Sequence, residues 1–390
     1  MLLNFYKHKN SKLHLLMMKI GILFFYIIFL INSTFCQGLE SKIGINGSMM
    51  QGYSFAPNKV EKTGLSLNGT VTGFDVGITK QVTGKKQWQK DLGNPRFGLN
   101  VQTILMNKPD TFGFNVSLLP WVQIPLIKYS KGEIVGKIGI GLAYASESFN
   151  RKKNFDNRAV SSPINFALEF GLVLNQMLTK KIDFNAELGY YHLSNGSFRI
   201  PNGGFNIYFI KTGLSYFING NPYANRIKIN KKIEHKKIYY SAFTAFGYRE
   251  FGTFALIHQF PVFTIHQALY KPINKLYNLG IGFDLFYDAT NALRVNKNLM
   301  VSDVPEADKI LLAVGICNEF TFGKLALPLE IYNYFSFVKR IENKNYLRFG
   351  LTYYANKKMF FGCYFKGSIA NSKSLESDFM EFAIGYKFRK

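Results

Sequence analysis

The feature that most constrains this chain is a two-residue alternation of apolar and polar side chains that begins near residue 40 and persists to the C-terminus. In an extended chain successive side chains point to opposite faces, so period two means strand. Between 134 and 146, Ile134, Ile138, Ile140, Leu142 and Tyr144 share one face, and Lys137, Gly139, Gly141, Ala143 and Ala145 the other. In the next segment Phe166, Leu168, Phe170, Leu172 and Leu174 oppose Ala167, Glu169, Gly171 and Asn175. In the last, Met380, Phe382, Ile384, Tyr386 and Phe388 oppose Glu381, Ala383, Gly385 and Lys387. One face wants hydrocarbon; the other is small, polar and suited to a wet or plugged lumen.

Strand length separates the folds that alternate in this way. Strands of soluble sandwiches run about five or six residues, whereas these run ten to fifteen and crowd aromatic residues toward their ends, as membrane-spanning strands do. Sixteen segments fit the pattern, from 41–55 to 379–388, with those at 64–80 and 253–269 the least regular. The expected fold is all-β, an antiparallel transmembrane β-barrel of about 14–16 strands. An even count puts both termini on the periplasmic side. The short connections at 179–181, 321–324 and 356–358 then fall there, and the long ones at 147–163 and 291–308 fall outside, as in outer-membrane barrels. Residues 219–236 break the rule, being long and basic yet on the short-turn side, and they mark a possible seam between two eight-strand halves. Alternation leaves open whether 237–390 closes one large barrel or forms a second module.

Composition removes the rival classes. The 2 Trp, 23 Tyr and 38 Phe exclude a disordered chain, which needs few aromatics and low hydrophobicity. The longest apolar run, residues 20–31, is too short to span a bilayer as a helix. That run follows Lys7, Lys9, Lys12 and Lys19 and precedes small polar residues, which is the plan of a secretory signal peptide over residues 1–36, cleaved near Cys36 or Gln37. The expected organisation is a leader at 1–36, the first eight strands with a chemically distinctive hairpin at 37–218, a basic linker at 219–236, and further strands at 237–390.

The formal charge is +24, and removal of the leader's four lysines still leaves +20. The partner should be anionic. An exported, aromatic-rich chain without a basic stripe or a recognised motif is a poor nucleic-acid binder, so lipid headgroups of the outer membrane are the expected partner. Only Cys317 and Cys363 survive cleavage, so no disulfide framework is expected. His235, His258 and His266 lack close Cys or His neighbours in sequence, so neither a metal nor any other cofactor is expected. Oligomeric state stays open.

One hairpin carries chemistry: Glu187-Leu-Gly-Tyr-Tyr-His192-Leu-Ser194-Asn195, continuing through Pro201 and Asn202 to Asn206. Residues two apart on a strand share a face with Cα atoms roughly 6.5 Å apart, so an imidazole at His192 can reach the Ser194 hydroxyl. By the alternation Ile182, Phe184, Ala186, Leu188, Tyr190, that face is the lipid-facing one, and Asn206 falls on the corresponding face of the next strand. Polar groups facing lipid are costly without partners. Ester hydrolysis supplies a reason, with His192 as base, Ser194 as nucleophile and Asn206 holding the imidazole tautomer. A strand leaving the membrane at the headgroup level, followed by an Asn-Gly turn, would give the same residues. Glu187 lies on the opposite, lumenal face and cannot substitute as the third member. The long 147–163 loop carries Arg151, Lys152, Lys153 and Arg158, which suit either solvent or lipid phosphates.

The run His192-Leu-Ser194-Asn195-Gly…Pro201-Asn202…Asn206, with the upstream strand Gly139-Ile-Gly-Leu-Ala-Tyr144, resembles the active-site hairpin of the PagL-type outer-membrane lipid A deacylases, a family that includes acyloxyacyl hydrolases. The similarity spans about residues 40–218, the size of a complete eight-strand member. It implies an outer-membrane serine esterase of a Gram-negative bacterium that removes an acyl chain from the lipid A of lipopolysaccharide. It also implies that His192 is the base and Ser194 the nucleophile, and that Asn195 and Asn202 support the site or its oxyanion hole. The best-known members carry a glutamate where this sequence has Asn206. A neutral amide can orient a histidine but stabilises imidazolium less than a carboxylate does. The alternative is a non-catalytic outer-membrane pore or binding barrel with a degenerate site.

Overall fold

The computed structural model describes residues 42–55, 67–218, 220, 237–252, 257–288, 290, 309–335, 345–369 and 375–389. The expected leader, the 219–236 connection apart from Gly220, and the 291–308 loop lie outside the described residues.

Strands form where the alternation places them. The first eight are β1 (Lys42–Phe55), β2 (Gly69–Gln81), β3 (Arg96–Leu105), β4 (Phe114–Tyr129), β5 (Gly132–Ala145), β6 (Ile164–Met177), β7 (Ile182–Ser194) and β8 (Phe205–Phe217). The next eight are β9 (Tyr239–Gly252), β10 (Ile257–Pro272), β11 (Tyr277–Asp288), β12 (Ile310–Phe322), β13 (Leu325–Tyr334), β14 (Asn345–Tyr354), β15 (Met359–Ile369) and β16 (Leu375–Arg389). Two single-turn helices, α1 (Gln87–Asp91) and α2 (Pro109–Phe112), sit in connections. β4 carries a register shift between Pro125 and Ile127, where a proline has no N–H to give the ladder.

Pairing decides how the strands close. β1 pairs with β2 and also with β8, from Gly44↔Phe217 to Phe55↔Asn206. β9 pairs with β10 and with β16, from Met380↔Tyr248 to Arg389↔Tyr239. The sixteen strands therefore form two closed eight-stranded barrels, and those after residue 237 do not enlarge the first. In sequence, residues 219–236 lie between the last strand of the first barrel and the first strand of the second.

Eight strands leave an interior that side chains just fill. In the first barrel Lys137 pairs with Glu169 at 2.7 Å and Glu187 at 2.8 Å, while Lys211 pairs with Glu169 at 2.6 Å and Asp75 at 3.2 Å. A cavity of about 40 Å³ beside Asn46, Ser48, Asp75, Asn100 and Lys137 has room for a water or two. In the second barrel Arg348 reaches Asp284 at 2.6 Å, Glu381 at 2.6 Å and Glu330 at 3.0 Å, and Asp284 also holds His266 at 2.7 Å. Both lumens are plugged rather than open. The outward faces are apolar: Leu188, Ile210 and Leu214 are exposed on the first barrel, and Ile265, Ile281 and Ile331 on the second. No described helix is long and apolar enough to cross a membrane.

Arg348 is fully buried among three carboxylates, and removing one member of a buried ion network typically costs about 3–5 kcal/mol. Arg348→Ala is expected to lower the urea midpoint for loss of the heat-modifiable folded band accordingly. An unchanged midpoint would mean that the lumenal network does not stabilise the second barrel.

Candidate active site

The outer end of the β7–β8 hairpin gathers the polar residues that the alternation points outward. His192 and Asn206 are register partners across β7 and β8, while Ser194 lies two residues beyond His192 on the same face. His192 Nδ1 lies 2.8 Å from Asn206 Oδ1, and His192 Nε2 lies 3.0 Å from Ser194 Oγ. An amide oxygen can only accept, so Nδ1 carries the proton and Nε2 presents its lone pair to the seryl hydroxyl. Tyr190, on the same face, donates its hydroxyl to the same Asn206 oxygen at 2.6 Å. Two donors converging on Oδ1 fix the amide orientation. The three groups can pass a proton from Ser194 to the ring, which is the geometry that activated-serine chemistry requires.

The following loop is braced in place. Asn202 Oδ1 accepts from the backbone N–H of Asn195 at 3.0 Å. Asn195 Nδ2 donates to Ser161 Oγ at 3.1 Å and to the Arg199 carbonyl at 2.9 Å, which also accepts from Ser161 Oγ. Gly203 and Gly204 donate their N–H groups to the carbonyls of Arg158 and Ala159. Gly204 has a positive φ of 70°, and a Cβ there would sit 2.8 Å from His192 Cε1; only glycine lets the backbone pass that close to the ring. Ser197 holds φ at 61° without being glycine, a strained backbone of the kind found at functional sites. Asn202 Nδ2 is buried and unpartnered. An unmade buried hydrogen bond costs about 1–3 kcal/mol, so a donor left bare on the residue that holds the Asn195 N–H suits an oxyanion.

Inward along the same face, an aromatic floor begins. Phe55 stacks on Tyr208 at 4.9 Å, and Tyr190 lies 5.1 Å from Phe170 and 5.4 Å from Tyr208 between ring centroids. Tyr208 is 60% exposed, so the side facing β8 and β1 is open to a large apolar group.

Residues 72–215 match the lipid A 3-O-deacylase (PagL) family, and residues 238–390 match the C-terminal domain of acyloxyacyl hydrolases. The chain belongs to the PagL-type lipid A deacylase family. The two PagL-type matches coincide with the two barrels, and the first contains His192, Ser194, Asn195, Asn202 and Asn206. Among solved structures, the outer membrane enzyme PagL is similar at 17% identity and a TM-score of 0.31, over 43% of this chain and 97% of that one. The Pseudomonas putida toluene transporter TodX is similar at 8% identity and a TM-score of 0.18, over 90% and 89% of the two chains. A Rhodopseudomonas blastica porin is similar at 8% and 0.18, over 89% and 100%. No curated protein matches the chain.

Glu187 lies in the lumen, held by Lys137, on the far side of the sheet from His192. In the second barrel His266, Cys317 and Glu330 bring ligand atoms within 4.8 Å of one another, a cluster that the sequence spacing did not signal. Arg348 Nη1 stands 3.0 Å from Glu330 and 3.3 Å from His266 Nδ1, so a guanidinium already supplies that cluster's cation. Tyr190 was legible as a same-face neighbour of His192; Ser161 was not, because 34 residues separate it from Asn195.

A fluorophosphonate probe, which labels serines activated by a neighbouring base, is expected to modify Ser194 in the folded protein and to lose that label in His192→Ala. In Asn206→Ala the labelling rate is expected to fall about 10²-fold, the lower end of what general-base assistance contributes. Equal labelling of all three proteins would show that the chain of hydrogen bonds does not activate the serine.

Proposed function

We propose that the protein is an outer-membrane serine esterase that removes an acyl chain from lipid A. The observation that carries this is the continuous Ser194–His192–Asn206 hydrogen-bond chain on the outward face of a barrel, a place where polar groups are costly without partners. In the proposed reaction His192 Nε2 takes the Ser194 proton as Oγ bonds to the ester carbonyl carbon. Asn202 Nδ2 donates to the oxygen that becomes negative, with Asn195 bracing the loop that carries it. Collapse breaks the bond to the sugar oxygen, which leaves with the proton from His192. Water, deprotonated by the same nitrogen, then releases the fatty acid and restores Ser194.

The surroundings suit a phosphorylated lipid. The aromatic floor beside Tyr208 accommodates an acyl chain, and the loop bearing Arg151, Lys152, Lys153 and Arg158 is tied to the catalytic hairpin through Gly203 and Gly204. The net charge of +24 has the sign that attracts phosphate. A leader over residues 1–36 would route the chain out of the cytoplasm, and the apolar barrel faces suit the outer membrane. A non-catalytic binding barrel draws on one observation, the neutral Asn206, which stabilises imidazolium less than a carboxylate would. A pore draws on none, since ion pairs occupy both lumens.

Lipid A extracted from cells expressing the chain is expected to lose the mass of one acyl chain, and Ser194→Ala, with folding intact, is expected to abolish the loss. Unchanged lipid A under strong expression of the wild-type protein would rule out the deacylase.

A further inference from the structure

On β9 the outward residues run Tyr240, Ala242, Thr244, Phe246, Tyr248 and then Glu250. A carboxylate at the end of an apolar row on a barrel's outer face calls for partners. It has two. Glu250 Oε2 accepts the backbone N–H of Ile200 at 2.8 Å, and Oε1 accepts from Gln259 Nε2, its register partner on β10, at 3.1 Å. Ile200 belongs to the loop of the first barrel between Ser194 and Asn206, two residues before Asn202. The acidic group of one barrel therefore holds the catalytic loop of the other.

A second set of contacts lies alongside. Phe365 on β15 and Met380 on β16 are register partners facing outward, and a Cβ added at Gly196 would lie 3.3 Å and 3.4 Å from them. Phe365 also meets Phe166 edge-on at 5.2 Å, and Phe166 is the β6 register partner of Ser194. Burial along β16 records the cover: outward Met380 is 1% exposed, whereas Ile384, farther along the same face, is 48% exposed. The barrels touch near their other ends too, where Lys275 lies 3.7 Å from Asp91. The β6 side of the site is thus walled by the second barrel, and the β8–β1 side is left for substrate.

We infer that the second barrel is a positioning element of the catalytic site, acting through Glu250, which anchors the Ile200 N–H and with it the loop that presents Asn202 beside Ser194. This rests on the deacylase function proposed above. Glu250 touches no reacting atom; it restricts the loop so that the bare Asn202 donor meets the developing oxyanion without reorganisation, a condition on which electrostatic catalysis depends. The effect belongs in kcat rather than in KM, because the proposed ground-state contacts are the aromatic floor and the basic 147–163 loop, not the Ile200 segment.

The test uses the full-length protein with lipid A in mixed micelles and measures fatty-acid release. Glu250→Ala is expected to lower kcat about 10-fold or more with KM changed less than about two-fold, as for lost positioning. Glu250→Gln is expected to recover most of the rate, since its amide oxygen still accepts from Ile200. Wild-type kcat in Glu250→Ala, or a Gln variant no better than Ala, would overturn the inference. Hydrogen exchange at the Ile200 amide supplies a readout independent of turnover. Faster exchange in Glu250→Ala than in wild type supports the anchor, and unchanged exchange refutes it. An inactive wild-type protein with a fast-exchanging Glu250→Ala would therefore reject the deacylase while leaving the anchor standing.

Discussion

In an extended chain a backbone N–H or C=O facing hydrocarbon has no partner except another strand, and this requirement organises the whole structure. It is met twice, by the β1–β8 ladder and by the β9–β16 ladder. Once the edges are closed, each strand must send one face to the lipid and the other into a lumen only wide enough for side chains. Lys137, Lys211 and Arg348 point inward and find carboxylates there; Leu188, Ile210 and Ile281 point outward and are exposed. A polar side chain on the outer face is then an exception with a cost, and each exception described above has a partner.

Those exceptions cluster. His192, Ser194 and Asn206 satisfy one another at the outer end of the β7–β8 hairpin, and Glu250 and Gln259 satisfy one another and Ile200 on the adjoining barrel. The hydrogen bonds that make the outward polar groups tolerable are the ones that the proposed chemistry uses. Asn206 silences Nδ1 as an acceptor and leaves Nε2 facing the serine. Tyr190 restrains Asn206 in turn. Asn202 spends its oxygen on the Asn195 backbone and keeps its nitrogen bare, which leaves a donor for the proposed oxyanion.

The two barrels divide the labour. The first carries the hydrogen-bond chain and the aromatic floor, and the second gives up part of its lipid-facing surface to cover one flank of the hairpin. In its own lumen Arg348 occupies the acidic cluster around His266, paired with Asp284 and Glu330.

Much of this was legible in the linear sequence because strand periodicity is local. The strand positions follow from alternation alone, and so do the shared outward face of His192 and Ser194 and the lumenal place of Glu187. Asn206 was legible as well, since a hairpin's register follows from its two strands. What alternation cannot encode is which distant strands meet. A β8 that pairs with β1 reads the same, residue by residue, as a β8 that pairs with β9, so one barrel or two was decided only by the fold. The Ser161 brace on Asn195, the Arg348 network and the Glu250 anchor on Ile200 share that origin. Each joins residues from separate strands or loops, across 34, 64 and 50 positions for Ser161–Asn195, Asp284–Arg348 and Ile200–Glu250, and such partners become neighbours only once the backbone ladders have closed.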